Sequence, residues 1–209
     1  MRVGIAGFGK MGSAMAARLA DTKIDVIAWN RKPAAVKAAG FALAETPRTL
    51  AEECEIVLSS LFDETAVSAV YDGPNGLFAG GRGKLFIEMS TVSSDFQIAL
   101  AWKASNAGAA FIECPVSGTT GPARSGQLIG LPGGDAADIE RARPVLEKLC
   151  RRIEHIGPIG AGAIAKLAVN LPLLAFGNRS GKPWRSCAGL VRSPSGWSNY
   201  SATRPVRQL

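Results

Sequence analysis

Along residues 1 to 176, short apolar runs alternate with stretches whose apolar positions recur at helical spacing. RVGIAG, DVIAWN, EIVLSS, KLFIEMS, AFIEC and the later RIEHIG have the length and composition of buried strands. Between them, MGSAMAARLA, PAAVKAAG, ETAVSAVY, SDFQIALAWKASNAG and IERARPVLEKL place apolar residues three and four apart, as amphipathic helices do. Parallel strands need a long crossover, usually helical, so this alternation predicts a parallel sheet with helices on both faces. The fold class is therefore α/β, a doubly wound parallel sheet over roughly residues 1–160. A last helix, GAIAKLAVNLPLLAF, starts near Ala161.

After Phe176 the pattern stops. The last 33 residues contain no acid and six basic residues, Arg179, Lys182, Arg185, Arg192, Arg204 and Arg207. They account for all but +1 of the formal charge of +7, so the patterned part is nearly neutral. A segment of this composition buries too little apolar surface to offset its ordering entropy, which predicts a disordered basic tail over 177–209. Three readings meet the abrupt loss of pattern. A shifted reading frame near residues 176 to 178 is preferred; the others are a polyanion-binding tail using Trp184, Trp197 and Tyr200, or a short solvated tail on a stand-alone binding domain.

Composition narrows the classes further. With 47% hydrophobic and 20% charged residues the chain reads as a soluble globular protein. The opening MRVGIAGFGKMG suits a strand and turn and not a secretory signal, and no stretch reaches the length of a membrane span. Cys54, Cys114, Cys150 and Cys187 form no CxxC pair, which argues for reduced thiols in the cytoplasm and against zinc or a disulfide framework. His155 is the only histidine, which excludes a multi-histidine metal site and argues against a Ser-His-Asp hydrolase. No metal is expected.

The turn GFGKMG carries the first candidate chemistry. Gly7, Gly9 and Gly12 follow a strand directly and open a helix, the context in which GxGxxG binds a dinucleotide. Gly7 permits the tight turn, Gly9 lets backbone approach a pyrophosphate, and Gly12 lets the helix pack close to the strand. With Phe8, Lys10 and Met11 they make the cofactor-binding set at the positive end of that helix. At the end of the second strand stand Trp29, Asn30 and Arg31, where an NAD site would carry an acid. A neutral Asn30 does not repel a 2'-phosphate and Arg31 can pair with it, so NADP is favoured over NAD.

A second loop, ECPVSGTTGPARSG, is rich in small residues and hydroxyls and suits a small-molecule carboxylate. Further on, GAGAIAKLAVN places Lys166 and Asn170 four apart on one helix face. Together with MSTVS, residues 89 to 93, these motifs resemble, in order, those of the β-hydroxyacid dehydrogenase family, to which 3-hydroxyisobutyrate dehydrogenases belong. The resemblance runs from residue 1 to about 176. It implies a Rossmann-type NADP-binding domain over 1–162 and the start of an interdomain helix over 163–176. It also implies Lys166 as catalytic residue, Ser117, Gly118 and Asn170 on the substrate, and Ser90 and Thr91 at the nicotinamide.

The implied reaction is hydride transfer between nicotinamide and a small β-hydroxy acid or aldehyde acid. Val169-Asn170-Leu171 stands where 6-phosphogluconate dehydrogenases have His-Asn-Gly, which disfavours that substrate. Retention of Lys166 points to carbonyl chemistry and away from imine reduction. Relatives continue into an all-helical second domain that closes the cleft and usually makes the dimer. The loss of pattern after Phe176 removes both from the expectation here and keeps two alternatives open: a catalytically inactive dinucleotide-binding domain, or a protein acting through its basic tail. Pro132 is expected at a sheet edge or bulge, and Pro172 to kink the last helix.

Overall fold

The computed structural model describes residues 1–177, with side chains described through Leu171. The expectations for 177–209 and for Cys187 lie, but for Gly177, outside the described residues. The chain divides into Met1–Ala168 and a second unit, Val169–Leu209.

Six parallel strands form the main sheet: β1 Arg2–Ala6, β2 Asp25–Trp29, β3 Ala42–Leu43, β4 Ile56–Ser59, β5 Leu85–Glu88 and β6 Ala110–Glu113. Their order, β3-β2-β1-β4-β5-β6, reverses between β1 and β4. This is the doubly wound Rossmann-like α/β fold, and the reversal opens a crevice at the carboxyl ends of those two strands. The helices between them are α1 Lys10–Asp21, α2 Ala34–Ala38, α3 Pro47–Glu53, α4 Glu64–Tyr71 and α5 Ser94–Asn106.

Strand side chains alternate between two apolar layers. Val3, Ile5, Leu58, Ile87 and Ile112 face Met15 and Leu19 of α1 and the buried side of α7, Ala136–Leu149. Val57, Phe86 and Phe111 face Leu50, Tyr71 and Leu100 from α3, α4 and α5. Both faces are buried, which is why the strand runs read as continuously apolar instead of alternating.

RIEHIG does not extend the parallel sheet. A separate three-stranded sheet holds β7 Val116–Ser117, β8 Leu128–Gly130 and β9 Cys150–Ile153, in that order. β7 runs antiparallel to β8, and β8 parallel to β9. Pro132 has no N–H to continue β8; it lies in the stretch beyond that strand, where its carbonyl accepts from Ile156 N at 2.9 Å. Beyond β8, Gly133 pairs with Glu113 at the end of β6 on one side and with Gly157 on the other. The loop read in PVSGTTGPARSG is instead β7, a turn, and a short helix α6, Thr120–Ser125. α3 is not among the helices expected from the apolar pattern; it starts at Thr46-Pro47, a side-chain N-cap followed by proline at the first helical position, where Thr46 Oγ1 accepts from Thr49 N. α8, Ala161–Gly177, starts where its pattern does and remains helical through Pro172.

Candidate active site

The glycine turn sits at the end of β1. Gly7 has φ +96°, a region glycine adopts without strain, and its N–H donates to Trp29 O at 2.9 Å. A Cβ there would lie 2.4 Å from Ser60 O, so the turn presses against the chain leaving β4. A Cβ on Gly12 would lie 1.9 Å from Gly7 O, whereas one on Gly9 would meet nothing within 4 Å. Gly9 is the N-cap of α1 and offers no capping side chain. The space over Gly9 at the positive end of α1 is therefore open and no side chain caps the helix, a cradle that suits a pyrophosphate.

The other members of the cofactor set take different positions. Phe8 is buried and packs edge-on against Phe41, ring centres 5.5 Å apart. Its N–H donates to Asn30 Oδ1 at 3.1 Å, and Asn30 Nδ2 donates to Lys32 O at 3.0 Å. Asn30 thus ties the glycine turn to the end of β2, and its amide is already engaged within the protein. Lys10 and Arg31 are exposed beside this turn.

A cleft of about 260 Å³ opens next to it. Met11, Ser90, Thr91, Gly118 and Lys166, all predicted from sequence, line one wall or another of this cleft. Ser60, Leu61 and Phe62, the segment after β4, were not predicted and line it too, as do Met15, Met89 and Val116. Ser117 does not line it; Ser117 pairs with Ile129 in the small sheet and so sets the position of Gly118. Gly118 has φ +128°, and a Cβ there would crowd Leu128 at 2.8 Å. Asn170 stands four residues after Lys166 in the sequence and belongs to the second unit.

The loop after β5 is held at both ends. Ser90 is buried; its Oγ accepts from Leu61 N at 2.8 Å, and its N–H donates to Glu88 Oε1 at 2.6 Å. Ser59 Oγ donates to the other Glu88 oxygen and is 2.6 Å from Tyr71 Oη. Burial pushes the Glu88 carboxyl above its ordinary range, against the opposing pull of Ser59 and Ser90. At the far end Glu64 accepts from Ser93 N at 3.0 Å and Ser93 Oγ at 2.6 Å, and those bonds lower its titration. An acid closing an otherwise apolar strand run was the available sequence signal for Glu88.

Lys166 is half-buried, and burial lowers its amine below the ordinary lysine range. His155 does not line the cleft; its Nε2 lies 3.1 Å from Gly134 O and 3.0 Å from Gly157 O. Cys54, Cys114 and Cys150 are free and buried, and burial pushes the thiols of Cys54 and Cys150 up to about 12. Among the described residues, no three His, Cys, Asp or Glu side chains gather as a metal site would need.

A sequence family described as the NAD binding domain of 6-phosphogluconate dehydrogenase matches residues 2–157. The chain is 37% identical over 171 residues to a 3-hydroxyisobutyrate dehydrogenase of Pseudomonas aeruginosa, covering 80% of this chain and 57% of that protein. It is 35% identical over 175 residues to glyoxylate/succinic semialdehyde reductase 1 of Arabidopsis thaliana, covering 82% and 61% respectively. It thus spans roughly three-fifths of the length of these relatives. The 3-hydroxyisobutyrate dehydrogenase of Mycobacterium tuberculosis, solved with L-serine, superposes with a TM-score of 0.78 at 30% identity, over 83% of this chain and 60% of that one. The glycine turn at the switch point, the order of the four motifs and these likenesses agree: the chain belongs to the β-hydroxyacid dehydrogenase family and carries its nicotinamide-dinucleotide-binding domain.

Proposed function

We propose that the protein is an NADP(H)-dependent oxidoreductase of the 3-hydroxyisobutyrate dehydrogenase type, acting on a small β-hydroxy acid or aldehyde acid in the cytoplasm. The observation that carries the reading is the cleft itself. Residues from the start of α1, the loop after β5, the turn after β7 and α8 are far apart in sequence and converge on one cavity, with a half-buried amine in its wall.

The residues present suit the cofactor. The cradle over Gly9 and the first turn of α1 would hold the pyrophosphate, Arg31 the 2'-phosphate, and Ser90 with Thr91 the nicotinamide end. When bound, the reduced nicotinamide supplies a hydride to the substrate's carbonyl carbon. The Lys166 ammonium donates a hydrogen bond to the carbonyl oxygen and gives up its proton as that oxygen becomes an alcohol. Backbone N–H groups around Ser117 and Gly118 hold the substrate carboxylate, and Asn170 is assigned to substrate and lysine by family resemblance. In the oxidative direction neutral Lys166 takes the alcohol proton.

The direct test is turnover. NADPH is expected to raise the melting temperature and to be consumed with glyoxylate, succinic semialdehyde or the aldehyde acid corresponding to 3-hydroxyisobutyrate. No melting shift with either dinucleotide would end the proposal. Arg31→Ala is expected to weaken NADPH about tenfold or more while leaving NADH affinity nearly unchanged, the loss of one charge-assisted fork. Equal losses for both would remove Arg31 from 2'-phosphate recognition.

The pH profile provides a further check. Reduction needs the ammonium form, so its rate is expected to fall as pH rises through the Lys166 pKa, which burial places below 10.5. Oxidation needs the neutral amine and is expected to rise over that same window. A reduction rate flat across the alkaline range would contradict the assignment of Lys166 as the acid.

A second reading, dinucleotide binding without turnover, is favoured by one observation. Phe62 lines the cleft and is 91% exposed, an apolar side chain without cover among the described residues. A measurable NADPH affinity with no consumption on any of these substrates would select it.

A further inference from the structure

The geometry points to Glu113 as the positioning residue for Lys166, a carboxylate that fixes the lysine-bearing helix to the end of β6; this rests on the proposed role of Lys166.

Glu113 closes β6 and is fully buried. Its Oε1 accepts from Gly160 N at 2.5 Å and Gly162 N at 2.9 Å, and its Oε2 from Ala163 N at 3.0 Å. These are N–H groups at the entry and first turn of α8, which have no carbonyl partner within the helix. The residues leading into α8, Pro158, Ile159 and Gly160, include no Ser, Thr, Asp or Asn to cap it locally. The cap arrives from 47 to 50 residues away, and among the described residues no other side chain bonds to the backbone of this helix's start.

Glycines make the approach feasible. A Cβ on Gly133 would lie 2.5 Å from Glu113 Oε1, and one on Gly162 would lie 2.3 Å from Leu131 O and 3.3 Å from Glu113 Cδ. The carboxylate therefore occupies a slot between the bridge at Gly133 and the first turn of α8. Side chains in this turn show what the slot orients. Gly162 and Ala163 are buried, Lys166 follows them by one turn on that side and is half-buried, while Ile164 and Leu167 are exposed.

Glu113 also begins the segment Glu113-Cys114-Pro115-Val116-Ser117-Gly118, so one short stretch carries both the helix anchor and the proposed carboxylate site. Pro115 O accepts from Leu131 N at 3.0 Å, which holds this stretch against the small sheet. The distance between the amine and the substrate's carboxylate is then set by β6 and not by the sequence near Lys166. A serine N-cap would accept from one of the first-turn amides without fixing that distance. Burial raises the Glu113 carboxyl and the three amides oppose the shift, so the site keeps its acceptor oxygens at a cost that a simple cap avoids.

The test uses the full chain with Glu113→Gln and Glu113→Asp. Amide hydrogen exchange over residues 158–165 reads the anchor, and the pH dependence of Lys166 labelling by an amine-reactive ester, followed by peptide mass spectrometry, reads the lysine. Glu113→Gln is expected to speed exchange in that segment about tenfold or more and to move the Lys166 titration up towards 10.5, as the amine swings into water. Glu113→Asp, which keeps the charge one methylene short, is expected to fall between Gln and wild type in both. Exchange that quickens while the Lys166 titration stays in place would leave Glu113 a helix cap only and overturn the inference; unchanged exchange would overturn it as well. Should Glu113→Gln not fold, Glu113→Asp supplies the same two readouts. Undiminished turnover in Lys166→Ala would instead sink the lysine's role and leave these two measurements unaffected.

Discussion

Lys166→Ala is expected to lower turnover by roughly 100- to 10,000-fold, the range for removing a positioned general acid. Its effect on NADPH affinity is expected to be small, because the glycine turn and Arg31 are untouched. Burial is the cause that lowers this amine, so its proton is easier to release than that of an exposed lysine. Alanine removes both the hydrogen bond to the developing alkoxide and the proton. Arginine keeps a positive charge but holds its proton too tightly, so Lys166→Arg is expected to bind substrate and turn over almost as poorly as alanine. Steady-state NADPH consumption, with the NADPH-induced melting shift as a folding control, separates these effects. Turnover in Lys166→Ala within a few-fold of wild type would move the acid to another group.

The second large effect belongs to the glycine turn, where two neighbouring glycines are expected to fail differently. In Gly12→Ala the new Cβ would stand 1.9 Å from Gly7 O and 3.0 Å from Gly7 C, both backbone atoms that cannot rotate away. The expected cost is at least the roughly 1–3 kcal/mol of overpacking, and each kcal/mol lowers the melting temperature by about 2–4 °C in a chain of this size. The turn would also be displaced, so cofactor affinity should fall with stability.

Gly9→Ala adds its methyl to open space, and Gly9 already has the extended backbone of φ −79° and ψ −165°, which alanine adopts without strain. Its stability is expected to stay within the small range of surface changes, about 0.5 kcal/mol. The methyl would nevertheless stand where the pyrophosphate is proposed to approach, so the NADPH-induced shift should disappear. A Gly9→Ala protein that retained the full shift would place the phosphates elsewhere. Differential scanning fluorimetry with and without NADPH reads both variants.

Much of the cleft's lining is legible in the sequence. The glycine turn, the hydroxyl-bearing loop after β5 and Lys166 stand in their sequence positions because each depends on a local signal: a strand-to-helix junction, a short polar break, a helical spacing. Asn30 shows the limit of that reading. Its place at the end of β2 was evident, but its amide bonds to Phe8 and Lys32 inside the protein. The segment Ser60 to Phe62 was missed because nothing in Ser-Leu-Phe announces a cleft wall; it becomes one only because β4 neighbours β1 at the reversal of strand order. RIEHIG read correctly as containing a strand, yet β9 stops at Ile153 and joins a different sheet.

The amino-acid sequence by itself determined the alternation of strands and helices, the glycine turn that opens α1, and the helix that carries Lys166. Each follows from periodicity and backbone freedom within a few residues, where the physics is local. Only the tertiary structure decided which strands adjoin, which loops wall the cleft, and which buried acids answer which amides. Glu88 and Glu113 look alike in sequence, each an acid ending an apolar strand run. One faces Ser59 and Ser90 and the other caps α8 because burial obliges a polar group to find partners, and the partners within reach are set by packing across the whole domain.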